Sequence, residues 1–165
     1  MISRVLLLGI GSPFDEDQVG LQVVERLRDE GFSSGLDGVA LDFDMLDRPG
    51  WGLLDRLEGV GCAVLVDAMV SGRTQGALLR VPVDALPATN PVFASHEISP
   101  SGVLALGRAL GLLPERLILY GIEIRREASS CPLDPRPLRE ETVRTLRTAL
   151  LLDFRSLFPD RPVLS

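Results

Sequence analysis

The stretch VLLLGIGSPFDEDQVG, Val5 to Gly20, constrains this chain more than any other. It opens on an apolar run, Val5 to Leu8, that is bounded by Gly9. A run without polar alternation reads as a short strand buried on both faces, the form strands take in a parallel sheet covered by helices. Gly9 and Gly11 are expected to turn the chain sharply at the strand's end. Asp15 then reads as a helix N-cap, because Gln18 follows in capping-box spacing and Val19, Val23 and Leu27 recur with helical period. Asp17 falls in the first turn of that helix, beside the strand end.

A glycine-rich turn from strand to helix suggests a dinucleotide site, but the G-x-G-x-x-G pattern requires a third glycine where this chain has Phe14. Charge argues further against it. A pyrophosphate at this helix N-terminus would meet Asp15, Glu16 and Asp17, which repel an anion and attract a cation. The same acids also suit a helix start, where they cap free N–H groups and complement the dipole. Alone they leave both readings open.

At 165 residues the chain has the length of one domain, expected to span residues 1–165. A net charge of −6 and a pI near 4.8 argue against a nucleic-acid or acidic-membrane partner. Cys62 lies in an apolar run and Cys131 in a polar loop, so they suggest neither a disulfide framework nor a paired metal motif. The apolar segment near the N-terminus is too short to span a membrane and runs into acids rather than a cleavage site, so the expected location is cytoplasmic.

The first helix is expected to end near Gly31, followed by a loop from Phe32 to Gly38 and a strand in which Val39, Leu41 and Phe43 alternate with Ala40 and Asp42. Arg48-Pro49-Gly50-Trp51-Gly52 signals a turn, with Trp51 most simply a packing residue, or else a partly exposed residue of a protein interface, before a short helix carrying Leu53, Leu54 and Leu57. Cys62 to Val66 is a second buried strand and ends in Asp67. Ala77 to Val83 reads as a strand of undetermined polarity. A loop with Pro87 and Pro91 leads through Ser95-His96-Glu97 to a helix from about Ser99 to Leu110, with Val103, Leu106 and Leu110 on one face. Leu117 to Ile122 is the last strand. After a polar loop, Arg125 to Arg136, a helix begins at Pro137 with the stripe Val143, Leu146, Leu150 and Phe154. The alternation predicts an α/β fold, a three-layer αβα sandwich with a mainly parallel, twisted sheet of about five strands.

Acids that directly follow apolar strands lie at the carboxyl edge of a parallel sheet, where open α/β folds place ligands. Asp17, Asp67 and His96, the only histidine, can meet there. Two carboxylates and an imidazole form a partial shell for a borderline divalent metal, with positions left for a substrate.

These residues resemble the hydrogenase maturation endopeptidases, nickel-dependent proteases that trim the carboxyl-terminal extension of the nickel–iron hydrogenase large subunit. GIGSPFDEDQVG is similar to that family's opening motif, and Pro49-Gly50 followed by Leu53-Leu54 to its second-strand turn. VLVDAM at 64–69, Ser95-His96 and GIE at 121–123 match further motifs in order and spacing, over nearly the whole length. Ser12 stands where asparagine is usual, Gln18 where glycine or alanine is usual, and the segment from Ala128 to Arg136 is longer than the common pattern. The resemblance implies metal-contacting and catalytic roles for Asp17, Asp67 and His96. Asp17 is chosen over Glu16 because, like the family's acid, it precedes the helix glycine, here Gly20, by three residues. It also implies that the partner is the large-subunit precursor and that the substrate brings its own nickel, whose place other divalent metals can take in vitro. The metal would polarise the scissile carbonyl or activate a water. Two other readings remain: a different metal-dependent α/β hydrolase, and a chaperone that checks nickel loading without cutting.

Overall fold

The computed structural model describes residues 4–11, 18–85, 99–124 and 138–164. The elements run β1 Arg4–Gly11, α1 Val19–Asp29, β2 Ala40–Asp47, α2 Gly52–Leu57, β3 Cys62–Met69, β4 Leu78–Val81, α3 Pro100–Ala109, β5 Arg116–Glu123 and α4 Glu140–Leu157, with a 3-10 turn at Val83–Ala85. The strands form one sheet in the order β2-β1-β3-β5-β4. All neighbours are parallel except β4, which pairs antiparallel with β5.

Strand alternation sorts the core into two layers. Val5, Leu7, Val64, Val66, Ile118, Tyr120 and Ile122 face α1 and α4, packing on Val23, Val24 and Leu27 and on the stripe Val143, Leu146, Leu150 and Phe154. Leu8, Ile10, Ala63, Leu65 and Leu119 face the other way, onto Leu53 and Leu57 of α2 and Val103 and Leu104 of α3. The central strands are therefore apolar on both faces, as their unbroken hydrophobic runs require. The predicted three-layer sandwich with five strands is what forms.

Several local expectations are corrected. β1 does not stop at Gly9: it continues to Gly11, with Gly9 paired to Met45 and Gly11 to Asp47. Gly9 is needed for close approach, since a Cβ there would lie 2.5 Å from the carbonyl oxygen of Gly20 in α1. β2 extends past Phe43 to Asp47 because it stays in register with β1 as far as the pair Gly11 and Asp47, and as an edge strand it carries acids that find partners: Arg4 pairs with Asp42 at 2.9 Å and Arg56 with Asp44 at 3.2 Å. In α3 the buried residues are Val103, Leu104 and Gly107, while Leu106 and Leu110 are exposed. Gly107 lies in the packed face, where a Cβ would come within 2.6 Å of Leu54 and 2.8 Å of Leu113, so its bare backbone lets these leucines close in. Trp51 is 51% exposed, against the packing reading of that residue and in line with its partly exposed alternative. α4 begins at Glu140; the expected start at Pro137 lies outside the described residues, as does the Asp15 cap.

Helix α3 starts where the sequence indicated. Ser99 caps it, its hydroxyl accepting from the Gly102 N–H at 3.2 Å, and Pro100 fills the first helical position.

Candidate functional site

Asp67 lies near the carboxyl end of β3, at the edge where the three central parallel strands terminate. Counting by twos from Ala63 and Leu65 puts its side chain on the α2/α3 face of the sheet, where it follows a fully apolar run and is only partly buried. Its Oδ1 accepts the N–H of Ala68 at 2.8 Å, which fixes the carboxylate against its own backbone. Directly opposite in register is Gly121. A Cβ on Gly121 would lie 2.1 Å from the Met69 sulfur, so the missing side chain is what lets the Met69 thioether lie over β5 beside Asp67.

The start of α1 reaches the same edge. A Cβ on Gly20 would lie 2.3 Å from the carbonyl oxygen of Ile10, 2.5 Å from that of Val66 and 3.2 Å from the Asp67 Cα. The first turn of α1 thus presses onto the ends of β1 and β3, with only a glycine able to fit. Asp17 precedes Gly20 by three positions, and His96 precedes the α3 cap Ser99 by three. Of the predicted trio, Asp67 is described. Asp17 and His96 lie outside the described residues, as do Ser12, Glu16, Ser95, Cys131 and the 128–136 segment. Among the described residues, no three His, Cys, Asp or Glu side chains group as metal ligands would.

Glu123, the last residue of β5, is a carboxylate that the sequence left without a role. It pairs with Met69 in register and is 3% exposed. Its oxygens accept the Ser71 N–H at 2.9 and 3.0 Å, the Ser71 hydroxyl at 2.6 Å and the Gly72 N–H at 2.9 Å. The Ser71 hydroxyl foremost, with these backbone donors, holds the Glu123 carboxyl below its ordinary range, outweighing the opposing effect of burial. The rule that selected Asp67, an acid at the end of an apolar strand, selects Glu123 equally.

Among the described residues, two other reactive groups, Cys62 and Tyr120, lie apart from Asp67 and Glu123. The Cys62 thiol is buried at the start of β3 and burial pushes its pKa up to about 11, so it is no nucleophile. Tyr120 donates its hydroxyl to Asp153 of α4 on the opposite face of the sheet. A cavity of about 320 Å³ lined by Arg4, Asp42, Asp44, Arg56 and Gly59 to Gly61 is lined by the charges already paired on β2.

Neither a protein-family model nor a curated protein matches this chain. Solved structures do match it. An endopeptidase from Escherichia coli superposes with a TM-score of 0.62 at 20% identity, covering 95% of this chain and 93% of that one. The hydrogenase maturating endopeptidase HybD from E. coli gives 0.57 at 23% identity, with coverage of 95% and 93%. The [NiFe] hydrogenase maturation protease HycI from Thermococcus kodakarensis gives 0.57 at 18% identity, with 93% of each chain covered. The chain has the fold of these maturation endopeptidases along nearly its whole length.

Proposed function

We propose that this chain is a single-domain hydrogenase maturation endopeptidase. It acts on the large-subunit precursor of a nickel–iron hydrogenase in the cytoplasm and removes the carboxyl-terminal extension once nickel is in place. Asp17, Asp67 and His96 recognise the substrate's nickel. The observation that carries the reading is Asp67: a partly exposed carboxylate that ends the apolar run of the central strand β3 at the sheet's carboxyl edge, with the α1 turn that follows Asp17 seated against its Cα. The fold shared with the maturation endopeptidases supports it over an unrelated hydrolase.

Hydrolysis of the extension adds one water across a peptide bond: the hydroxyl goes to the carbonyl carbon and a proton to the leaving amine. A carboxylate such as Asp67 contributes a negative ligand for the substrate's cation or accepts the proton of the attacking water. No serine or cysteine nucleophile is required, in keeping with the inert Cys62.

The test is the intact mass of a large-subunit precursor, nickel-loaded or nickel-free, before and after incubation with the protein. Loss of a carboxyl-terminal peptide from the loaded form alone is expected, and Asp67→Asn should slow it by at least about a hundredfold, the scale of a lost acid–base group. A stable complex without shortening would instead identify a loading checkpoint.

A further inference from the structure

We infer that Glu123 is a positioning residue that holds the segment from Val70 to Gly72 and, through it, the carboxylate of Asp67. This rests on the protease reading above. A carboxylate that is almost completely buried loses its hydration and needs strong compensation. Here the compensation comes from one short segment, because both carboxylate oxygens are bound by the N–H groups of Ser71 and Gly72 and by the Ser71 hydroxyl. That segment begins one residue after β3 ends, and Asp67 is two residues before that end.

The backbone around Glu123 completes the restraint. Its N–H donates to Ala77 O at 2.9 Å, its carbonyl accepts from Gly76 N–H at 2.8 Å, and the Ile124 N–H reaches Met69 O at 2.9 Å. One residue therefore holds both ends of the 70–77 connection, while Ala68 and Met69 lie between the clamp and Asp67. The Ala68 N–H donates to Asp67 Oδ1, so loosening that passes along Met69 reaches that hydrogen bond. A packing role alone would be met by an apolar residue at this site, with no need to bury a charge.

The test uses the full chain with Glu123→Gln, which keeps size and shape but replaces one acceptor with an NH₂ facing backbone donors, and Ser71→Ala as a milder second variant. Amide exchange is followed at Ser71, Gly72 and Ala68, with Val64 and Leu119 as core references. Precursor shortening is followed in parallel. In Glu123→Gln, exchange at Ser71, Gly72 and Ala68 should accelerate about tenfold or more with the core unchanged, and kcat should fall about tenfold with little change in KM, the scale of weakened hydrogen bonds to a charged group. Ser71→Ala should lie between this variant and the parent. Faster exchange at Ser71 and Gly72, with Ala68 protection and kcat both unchanged, would overturn the inference. If the parent protein shortens no precursor, the protease reading fails on its own account, and Ala68 exchange alone decides whether Glu123 positions Asp67.

Discussion

A methyl group at position 20 would meet two backbone carbonyl oxygens, of Ile10 and Val66, at 2.3 and 2.5 Å, and neither can swing aside as a side chain could. Gly20→Ala should therefore destabilise the fold by roughly 2 kcal/mol or more, the cost of overpacking against an immobile neighbour, read as a lowered urea midpoint. Glu123 gives a prediction of another kind. Its carboxyl is held below the ordinary value of 4.5, so its stabilising effect is complete above that value and is lost as the pH falls through its own lower pKa. The stability difference between the parent and Glu123→Gln should stay constant from neutral pH to about 5 and shrink on further acidification. Urea midpoints at stepped pH measure it. At this scale the sequence was legible where a residue's role depends on its neighbours in the chain. The start of α3 at about Ser99 is such a case, a position the structure shows to be its cap, followed by Pro100. Gly9 is the opposite case: its use depends on α1 packing across it, and the pattern of a turn glycine is the same as that of a close-approach glycine. Asp67 was legible from its place after an apolar strand, but the partners of Glu123 come from 51 and 52 residues away.

Helical stripes carry most of the information about elements. The α4 stripe Val143, Leu146, Leu150 and Phe154 is buried as read, and its length makes the periodicity unambiguous. Leu150→Ala should cost about 2–5 kcal/mol, whereas Leu152→Ala, at a position 61% exposed, should stay within about 0.5 kcal/mol. Paired thermal or urea melts compare them. α3 is a shorter helix with apolar residues around most of its circumference, so the face read from Val103, Leu106 and Leu110 is not the one that packs. The choice falls to Gly107, whose bare backbone admits Leu54 of α2 and leaves Leu106 and Leu110 outside. Strand ends shift for a related reason. Hydrogen-bonded partners such as Met45 and Asp47 carry β1 on through its glycines, and no local pattern encodes a partner's length.

For the whole molecule, alternation of strands and helices was enough to give the layers and the mainly parallel sheet. The direction of β4 was left open, although the chain holds a cue. Between Met69 and Leu78 there are too few residues for the crossover of a dozen or more that another parallel strand requires. β4 therefore reverses and takes the outer edge of β5, where Arg80 also reaches Asp153 of α4 at 3.2 Å. The trio proposed at the carboxyl edge was suggested by the same topology, because strands that run together end together.

That strand order also has a consequence for synthesis. As the chain leaves the ribosome, β2, β1 and β3 can pair at once, but β4 emerges before its only strand neighbour and must wait for β5 to enter between it and β3. The arriving strand brings Glu123 with it, so a nascent chain that already displays Asp67 has nothing yet to hold the segment beyond it. Closing the sheet and preparing the edge are one event, and an incomplete chain carries the acid without the setting.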